Sequence, residues 1–207
     1  IEIELSEKQL KQFNDYYHFL VEYNEKVNLT AITEEIEVYI KHFYDSILLA
    51  KSINLAEIES LCDVGSGAGF PSIPLKIVYP HLKITIIDAL DKRLVFLREL
   101  MGLLNLDGVS LVHARAEDYA KTNRESFDVV TARAVAQMYF LLEVSVPMLK
   151  VGKYFIAMKG NVDKEINYQK QVLLEDNLPI DKVRDVILNR NRNLWERKLE
   201  HNDFLNL

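Results

Sequence analysis

Three glycines at alternate positions follow a short apolar run that ends in an aspartate. The run Leu61-Cys62-Asp63-Val64 leads into Gly65-Ser66-Gly67-Ala68-Gly69-Phe70, and an apolar pattern with helical spacing begins after Pro71. This order predicts a buried strand, a tight loop and the start of a helix. Glycine accepts positive φ and lets the backbone approach a ligand closely, so the loop is a candidate cofactor site.

The glycine spacing distinguishes two kinds of cofactor. A dinucleotide fingerprint, Gly-x-Gly-x-x-Gly, requires a third glycine at position 70, where this chain has Phe70. The observed spacing is similar to that of S-adenosylmethionine-dependent methyltransferases, whose loop holds an amino-acid moiety and a ribose. The structural alternative is an ordinary glycine-rich turn.

Two carboxylates accompany the loop. Asp88 ends the next predicted strand about 20 residues further on, the offset at which an acid accepts hydrogen bonds from a ribose diol. Asp63 either receives the cofactor's ammonium, directly or through water, or braces the loop through backbone amides. Phe70 either packs on the cofactor or belongs to the core.

Two later loops add candidates at the same sheet edge. Ala116 and Glu117 follow the third predicted strand, where backbone groups could contact an adenine, although acids there also suit a helix N-terminus. Arg133 follows the fourth strand and could stack on a base or pair with a phosphate. A surface salt bridge is its structural alternative.

Other catalytic chemistries find little support in the sequence. The single cysteine, Cys62, lies inside the first strand and should be inert. His18, His81, His113 and His201 form no metal-ligand spacing. The sequence contains no serine triad or P-loop pattern. His42 and Asp45 are three residues apart and should share a helix face. No metal site is predicted.

Alternating strands and helices predict a parallel α/β sheet from residue 59 onward. Strands are expected near 60–64, 83–88, 109–113, 127–132, 153–159 and 183–188, with a seventh near 194–199. Helices are expected near 71–79, 91–105, 136–149 and 162–176. Residues 1–58 should form a small N-terminal helical extension, with a capping box at Ser6 and Gln9 and a second helix capped by Thr33. The methyltransferase domain would then span 59–207.

Composition restricts the partners. The chain has 207 residues, 49% hydrophobic residues, 27% charged residues and a net charge of −6. These values are typical of a globular domain, and no apolar run is long enough to span a membrane. A broadly basic nucleic-acid binder is disfavoured, so any RNA contact must come from a local patch. A single cysteine is compatible with a cytoplasmic location.

Several short motifs together resemble one family. They are Tyr23-Asn24, Asn28-Leu29-Thr30-Ala31-Ile32, His42-Phe43-Tyr44-Asp45-Ser46, Asp63 to Pro71, Asp91-Lys92-Arg93, Arg115-Ala116-Glu117, Thr131-Ala132-Arg133-Ala134-Val135-Ala136 and Lys159-Gly160. In this order they look like the bacterial 16S ribosomal RNA guanine-N7 methyltransferases, the RsmG or GidB family. The resemblance covers roughly residues 5–189, and the tail 190–207 does not match.

The resemblance implies a Rossmann-like S-adenosylmethionine-dependent methyltransferase fold with a mostly parallel seven-stranded sheet and helices on both faces. It implies a cytoplasmic enzyme that methylates N7 of one guanosine in a 16S rRNA hairpin loop near the decoding site. We expect this enzyme to be a monomer. Cofactor contacts are expected at Asp63, Gly65, Ser66, Gly67, Gly69, Phe70, Asp88, Ala116, Glu117 and Arg133. We also expect Arg133 to orient the guanosine or its phosphate. Candidates for RNA contact are Asn28, His42, Lys92, Arg93 and Lys159.

Three other functions stay open from the residues alone. One is a methyltransferase of small molecules or proteins, which the acidic charge favours. Another is an NAD-dependent dehydrogenase, against which Phe70 argues. The last is a catalytically silent RNA-binding or assembly module.

Overall fold

A parallel sheet lies at the centre of the molecule. The structure is a computed structural model that describes residues 3–133, 137–159 and 184–189. Six strands lie in these ranges, in the order β3-β2-β1-β4-β5-β6, and every neighbouring pair is parallel. Their bounds are β1 Ser60–Val64, β2 Lys83–Asp88, β3 Val109–His113, β4 Phe127–Arg133, β5 Leu149–Lys159 and β6 Arg184–Asn189.

The mostly parallel α/β architecture predicted from the sequence is confirmed. The first three strands match their predicted bounds, and β5 begins four residues earlier than expected. The seventh strand near 194–199, the helix near 162–176 and the tail 190–207 lie outside the described residues.

Seven α-helical segments accompany the strands in the described ranges. They are α1 Glu7–Val27, α2 Glu35–Val38, α3 Asp45–Ile47, α4 Ser72–Val78, α5 Asp91–Leu104, α6 Ala116–Thr122 and α7 Met138–Ser145. A π-helical turn, Tyr39–Tyr44, joins α2 to α3. Short 3₁₀ turns occur at Leu48–Lys51, Leu55–Glu57 and Val146–Met148.

The two predicted helix starts in the N-terminal segment had different outcomes. The capping box at Ser6 and Gln9 is present at the start of α1. The prediction that Thr33 caps the second helix is wrong, because Glu34 occupies the cap position and its side chain makes no capping hydrogen bond. The acids of the first turn, Glu35 and Glu37, favour this helix start without a hydroxyl cap.

Alternate residues of β1 point into two apolar clusters on opposite faces of the sheet. Leu61 belongs to a cluster with residues of α1, α4 and α5, and Cys62 belongs to one with residues of α6 and α7. Such alternation is the two-residue period of a strand covered on both faces. Helices therefore cover both sides of the sheet, as predicted.

The N-terminal segment shares the larger cluster. Phe13, Tyr16 and Leu20 of α1 are buried there with Phe70 and Phe96. Two glutamines of α1 also cap the ends of neighbouring helices: Gln9 donates to the carbonyl of Ile77 at 2.7 Å, and Gln12 donates to that of Leu104 at 2.7 Å. These bonds satisfy carbonyls that a helix C-terminus leaves without intrahelical donors.

Within the described residues, no helix combines the length and apolar character needed to cross a membrane.

Candidate cofactor site

The glycine loop joins β1 to α4 at the carboxyl edge of the sheet. Gly65, Gly67 and Gly69 all have positive φ, at 71°, 62° and 98°. At Gly69 a Cβ atom would lie 2.7 Å from Cγ1 of Ile73, so the loop passes close to α4. At Gly67 a Cβ would have no atom within 4 Å among the described residues, so space is open on that side of the loop.

Asp63 is fully buried beneath this loop. Its Oδ2 accepts a hydrogen bond from the backbone N–H of Ser72 at 3.3 Å, which braces the start of α4. Its Oδ1 has no hydrogen-bond partner among the described residues. Burial raises the pKa of Asp63 to about 7, although hydrogen bonds from Ser72 and Ser66 and the charge of Arg133 oppose the rise. Oδ2 thus braces the loop, while Oδ1 has no donor within hydrogen-bond distance in the described part of the chain.

Asp88 ends β2, beside the loop. Its Oδ1 accepts from the N–H of Leu90 at 2.9 Å, and its Oδ2 lies 3.4 Å from the N–H of Gly67. Arg93 of α5 approaches the same Oδ2 at 3.4 Å. The carboxylate is therefore oriented by the backbone on both sides, next to Gly67 and the open space beside it.

The loop after β3 adjoins Asp88. Strand register pairs Asp88 with His113, and Ala116 and Glu117 form the first turn of α6. Both are partly exposed, and the Glu117 carboxylate lies 3.7 Å from the guanidinium of Arg115.

The Phe70 ring is buried in the core. It is 6% exposed and stacks on Tyr16 and His42, at centroid distances of 5.6 and 4.5 Å. The Tyr16 hydroxyl donates a short hydrogen bond to the carbonyl of Ala68 in the glycine loop. These contacts favour the core interpretation of the Phe70 side chain. A cofactor contact by Phe70 stays a prediction.

Arg133 ends β4 and points into the N-terminal segment. Its guanidinium donates to the carbonyl of Lys41 at 2.7 Å and to Oγ of Ser46 at 3.2 Å. The Asp45 carboxylate lies 3.4 Å away, and both side chains are less than a tenth exposed. The guanidinium carbon also lies 5.3 Å from the centre of the Phe70 ring. The salt-bridge alternative for Arg133 therefore exists, but the ion pair is buried rather than on the surface.

His42 lies between Arg133 and the loop after α1. An Arg133 nitrogen approaches His42 Nδ1 at 2.9 Å, and His42 Nε2 lies 2.8 Å from Oγ1 of Thr30. The Asn24 side chain fixes the loop that carries Thr30, because its Oδ1 accepts from the N–H of Leu29 and Thr30 at 2.6 and 2.8 Å. His42 is 8% exposed, so both neighbours meet it inside the protein.

The residues expected to contact RNA come from several different elements. Lys92 is exposed in the first turn of α5, and the neighbouring Arg93 faces Asp88. Asn28 is exposed at the left-handed C-cap of α1. Lys159 ends β5, and its side chain lies outside what the structure describes.

The sheet order brings most predicted cofactor residues to one edge. It places the ends of β3, β2, β1 and β4 side by side, and these carry Ala116 and Glu117, Asp88, the glycine loop with Asp63, and Arg133. The connection reverses direction between β1 and β4, which is the position where ligands bind in such sheets.

Beyond Asn28 and His42, the sequence did not point to further site residues in the N-terminal segment. Tyr16, Thr30 and Ser46 were not singled out as site residues, yet each contacts the glycine loop, His42 or Arg133. The available signal was the motif at 42–46, whose histidine, aspartate and serine the structure shows to be buried.

Metal chemistry gains no candidate from the described residues, where no three histidine, cysteine, aspartate or glutamate side chains could hold an ion together. Burial raises the pKa of the Cys62 thiol well above its ordinary value, which agrees with the expectation that this cysteine is inert.

Comparison with known proteins decides the family. The sequence profile of GidB, described as rRNA small subunit methyltransferase G, matches residues 9–194. This chain belongs to the GidB family. A relative named ribosomal RNA small subunit methyltransferase G, from Staphylococcus saprophyticus, is 57% identical over 164 residues, 79% of this chain and 69% of the relative. A protein of that name from Listeria monocytogenes is 55% identical over 160 residues, 76% of this chain and 67% of the relative.

Solved structures agree with the fold. A protein assigned as a caffeoyl-CoA O-methyltransferase from Staphylococcus aureus superposes with a TM-score of 0.54 at 14% identity, over 77% of this chain and 83% of that one. Precorrin-6y C5,15-methyltransferase from Geobacter metallireducens gives 0.51 at 19% identity, over 63% and 68%. The GidB-family resemblance seen in the sequence motifs is confirmed, and the fold is that of the Rossmann-like methyltransferases.

Proposed function

We propose that this GidB-family chain transfers a methyl group from S-adenosylmethionine to N7 of one guanosine in 16S ribosomal RNA. The observation that carries the proposal is the identity of 55–58% to relatives named ribosomal RNA small subunit methyltransferase G. The guanosine would lie in a small-subunit hairpin loop near the decoding site, as the family resemblance implies.

The described residues fit S-adenosylmethionine. The ligand's ammonium needs a buried acceptor, and Asp63 offers Oδ1, which lacks a donor among the described residues. Its ribose needs a carboxylate beside open space, and Asp88 lies next to Gly67, where a Cβ atom would meet nothing within 4 Å. We assign the cofactor site to Asp63, Gly65, Ser66, Gly67, Gly69, Phe70, Asp88, Ala116, Glu117 and Arg133.

The proposed reaction needs no general base from the protein. S-adenosylmethionine supplies an electrophilic methyl group when it is bound. Guanine N7 carries an in-plane lone pair and no proton at neutral pH, so the new N–C bond forms as the S–C bond breaks and no proton moves. The protein therefore has to position the base and exclude water.

Arg133 also makes contacts within the protein in this proposal. Its guanidinium has buried partners in the N-terminal segment, so it positions the end of β4 and the Phe70 ring. Direct contact of Arg133 with guanosine stays a prediction. This predicted contact would be abandoned if the Arg133→Ala variant kept full activity and full cofactor affinity.

Recognition of the RNA must rely on local groups. The net charge of −6 would repel a phosphate backbone in general, so positive side chains near the site have to compensate. We propose Lys92, Arg93, Lys159 and Asn28 for this contact, and we place the enzyme in the cytoplasm as a monomer acting on the small ribosomal subunit.

Methyl transfer to defined acceptors tests the proposal. Labelled S-adenosylmethionine would be incubated with the chain and, separately, undermethylated small subunits, large subunits, protein-free 16S RNA and a small-molecule extract. Label confined to 16S RNA is the expected result. Label in the small-molecule extract or in ribosomal protein would contradict the rRNA assignment and support the alternative methyltransferase substrates.

A further inference from the structure

The hydrogen bonds around His42 specify one protonation state of its ring. An arginine guanidinium can only donate, so the Nδ1 atom that faces Arg133 at 2.9 Å must carry a lone pair. A neutral ring then carries its proton on Nε2. That N–H donates to Oγ1 of Thr30 at 2.8 Å, while the same Oγ1 accepts from the N–H of Ile32 at 3.1 Å.

The same ring contacts the glycine loop and the end of β4. It stacks on Phe70 with centroids 4.5 Å apart and an interplanar angle of 20°. Arg133, the donor to His42, lies at the carboxyl end of β4. Its guanidinium also lies over the Phe70 ring. One imidazole thus joins Thr30, Arg133 and Phe70, which come from three separate parts of the chain.

The π-helical turn explains how this position arises. The turn Tyr39–Tyr44 presents the carbonyls of Lys41 and His42 toward Arg133, at 2.7 and 3.4 Å. Ser46 bridges the same groups, because its hydroxyl donates to the carbonyl of His42 at 2.6 Å and accepts from Arg133. Such widened turns often occur at functional sites, where they redirect side chains.

We propose that His42 is a positioning residue, held as the Nε2–H tautomer between Thr30 and Arg133, that fixes the Phe70 ring and so pre-organises the glycine loop for its cofactor. The proposal rests on the proposed S-adenosylmethionine site. It gives His42 an internal role in place of the RNA contact that the sequence suggested. Accepting from Arg133 through Nδ1 is the essential part of this role.

Two conservative variants separate the two ring nitrogens. In His42→Asn, the amide oxygen can occupy the position of Nδ1 and accept from Arg133, while the donor to Thr30 is lost. In His42→Gln, the amide N–H can reach Thr30, while the acceptor for Arg133 is lost. The two variants therefore keep opposite halves of the contact.

Gln12→Met serves as a matched control. It removes a buried hydrogen bond from α1 to the carbonyl of Leu104, away from the glycine loop.

The affinity of S-adenosylmethionine for the full chain, measured by calorimetry, is the first readout. We expect His42→Gln to bind about tenfold more weakly, because a buried donor of Arg133 loses its acceptor. We expect His42→Asn to stay closer to the wild type than His42→Gln, and Gln12→Met to bind normally despite a lower melting temperature. Equal losses of affinity in the two His42 variants would overturn the proposal. So would a loss of affinity in Gln12→Met, because affinity would then simply follow stability.

The protonation state can be observed without any cofactor. Nitrogen-15 NMR of the histidine side chains, assigned by comparison with His42→Gln, should show Nδ1 unprotonated and Nε2 protonated at neutral pH. A protonated Nδ1 would overturn the inference whatever the binding data show. A wild-type chain that fails to bind S-adenosylmethionine but shows the Nε2–H tautomer would contradict the proposed function and the loop-positioning role, while leaving the observed hydrogen-bond arrangement intact.

Discussion

Asp63 combines a structural bond and an unused acceptor in one buried carboxyl. Its Oδ2 braces α4 through Ser72, and its Oδ1 lies without a donor among the described residues. Burial raises its pKa to about 7. Because the carboxylate is costly to bury without a cation, a ligand ammonium would stabilise the charged form.

Cofactor affinity should therefore depend on the ionisation of Asp63. Only the carboxylate pairs with an ammonium, so the affinity for S-adenosylhomocysteine should fall as the pH is lowered through about 7. Calorimetry across this range measures the effect. Asp63→Asn should bind weakly with a much flatter profile. A wild-type affinity that is constant on both sides of neutrality would exclude Asp63 as the ammonium acceptor.

The same group should influence stability without ligand in the opposite sense. Its pKa is higher in the folded chain than the ordinary value of 3.8, so its favourable contribution is complete below about pH 4 and is lost as the pH rises through about 7. Over that range the wild type should lose up to about 4 kcal/mol of unfolding free energy relative to Asp63→Asn. Urea denaturation at several pH values measures it, and a constant difference would contradict the raised pKa.

Gly69 and Gly102 form a matched pair for testing loop packing. A Cβ at Gly69 would meet the Tyr16 hydroxyl at 2.8 Å and Cδ2 of Leu97 at 3.0 Å, at a φ of 98°. Gly69→Ala should therefore cost more than about 2 kcal/mol of stability. Gly102→Ala in α5 meets nothing within 4 Å and should stabilise the chain by up to about 1 kcal/mol. Thermal denaturation of both variants compares them, and equal melting temperatures would refute the close approach.

Much of the site edge could be predicted at residue level. Glycine spacing located the loop, and Asp88 was expected at the end of a strand, where it lies. The partners of Arg133 could not be predicted, because Lys41, His42 and Ser46 precede it by about ninety positions and no local pattern encodes such a contact.

At the scale of elements, the opposite edge of the sheet is fastened by one carboxylate. Asp128 in β4 accepts from the N–H and hydroxyl of Ser60 in β1, at 3.1 and 2.9 Å. Lys150 and Lys153 of β5 each approach its Oδ1 at 3.2 Å. Burial alone would raise the pKa of Asp128, but the hydrogen bonds and the two lysines hold it well below its ordinary value.

Loss of this carboxylate should weaken the start of three strands together. Asp128→Asn should lower the free energy of unfolding at neutral pH by about 2–3 kcal/mol. Because the folded pKa is lowered, the wild-type advantage is present above about pH 4 and disappears as the pH falls below it. Guanidinium denaturation at neutral and acidic pH measures both effects.

Asp118→Asn is the control for this prediction. Its ion pair with Lys121, at 2.7 Å, is exposed on α6, and exposed pairs of this kind contribute little to stability. An Asp128 variant that loses no more stability than the Asp118 variant would show that the buried carboxylate does not fasten the strands.

Strand positions were easier to predict than helix ends. The short run of β2 is rich in β-branched residues and ends at an aspartate, which favours a strand. Its bounds were predicted correctly. The second N-terminal helix was predicted as one regular element, whereas it contains the π-helical turn Tyr39–Tyr44. Two carbonyls of that turn accept from Arg133, and a helical periodicity cannot reveal such a distant contact.

At the scale of the whole molecule, the N-terminal segment and the sheet share one apolar cluster. Phe43 and Tyr16 pack with Phe70, and Phe19 stacks on Phe96 of α5 at 5.4 Å. The division at residue 58 remains a proposal about sequence organisation. In energetic terms we expect the segment and the sheet to be inseparable.

Thermal unfolding should accordingly show a single transition. Helix content by circular dichroism and heat absorption by calorimetry should have the same midpoint, because loss of α1 exposes Phe70 and the sheet face beneath it. S-adenosylmethionine should raise that midpoint because it binds only the folded chain. At a concentration one hundred times its dissociation constant, it should increase the free energy of unfolding by about 2.7 kcal/mol. An early, separate loss of helix would contradict the shared core.

The most direct test of the central proposal asks which atom of the RNA receives the methyl group. Undermethylated small subunits would be treated with the chain and S-adenosylmethionine, and the extracted 16S RNA would then be reduced with borohydride and cleaved with aniline, which break the backbone at N7-methylguanosine. We expect one new enzyme-dependent cleavage in a single hairpin loop, absent without S-adenosylmethionine. Methyl incorporation without any new cleavage, or cleavage at many guanosines, would contradict it.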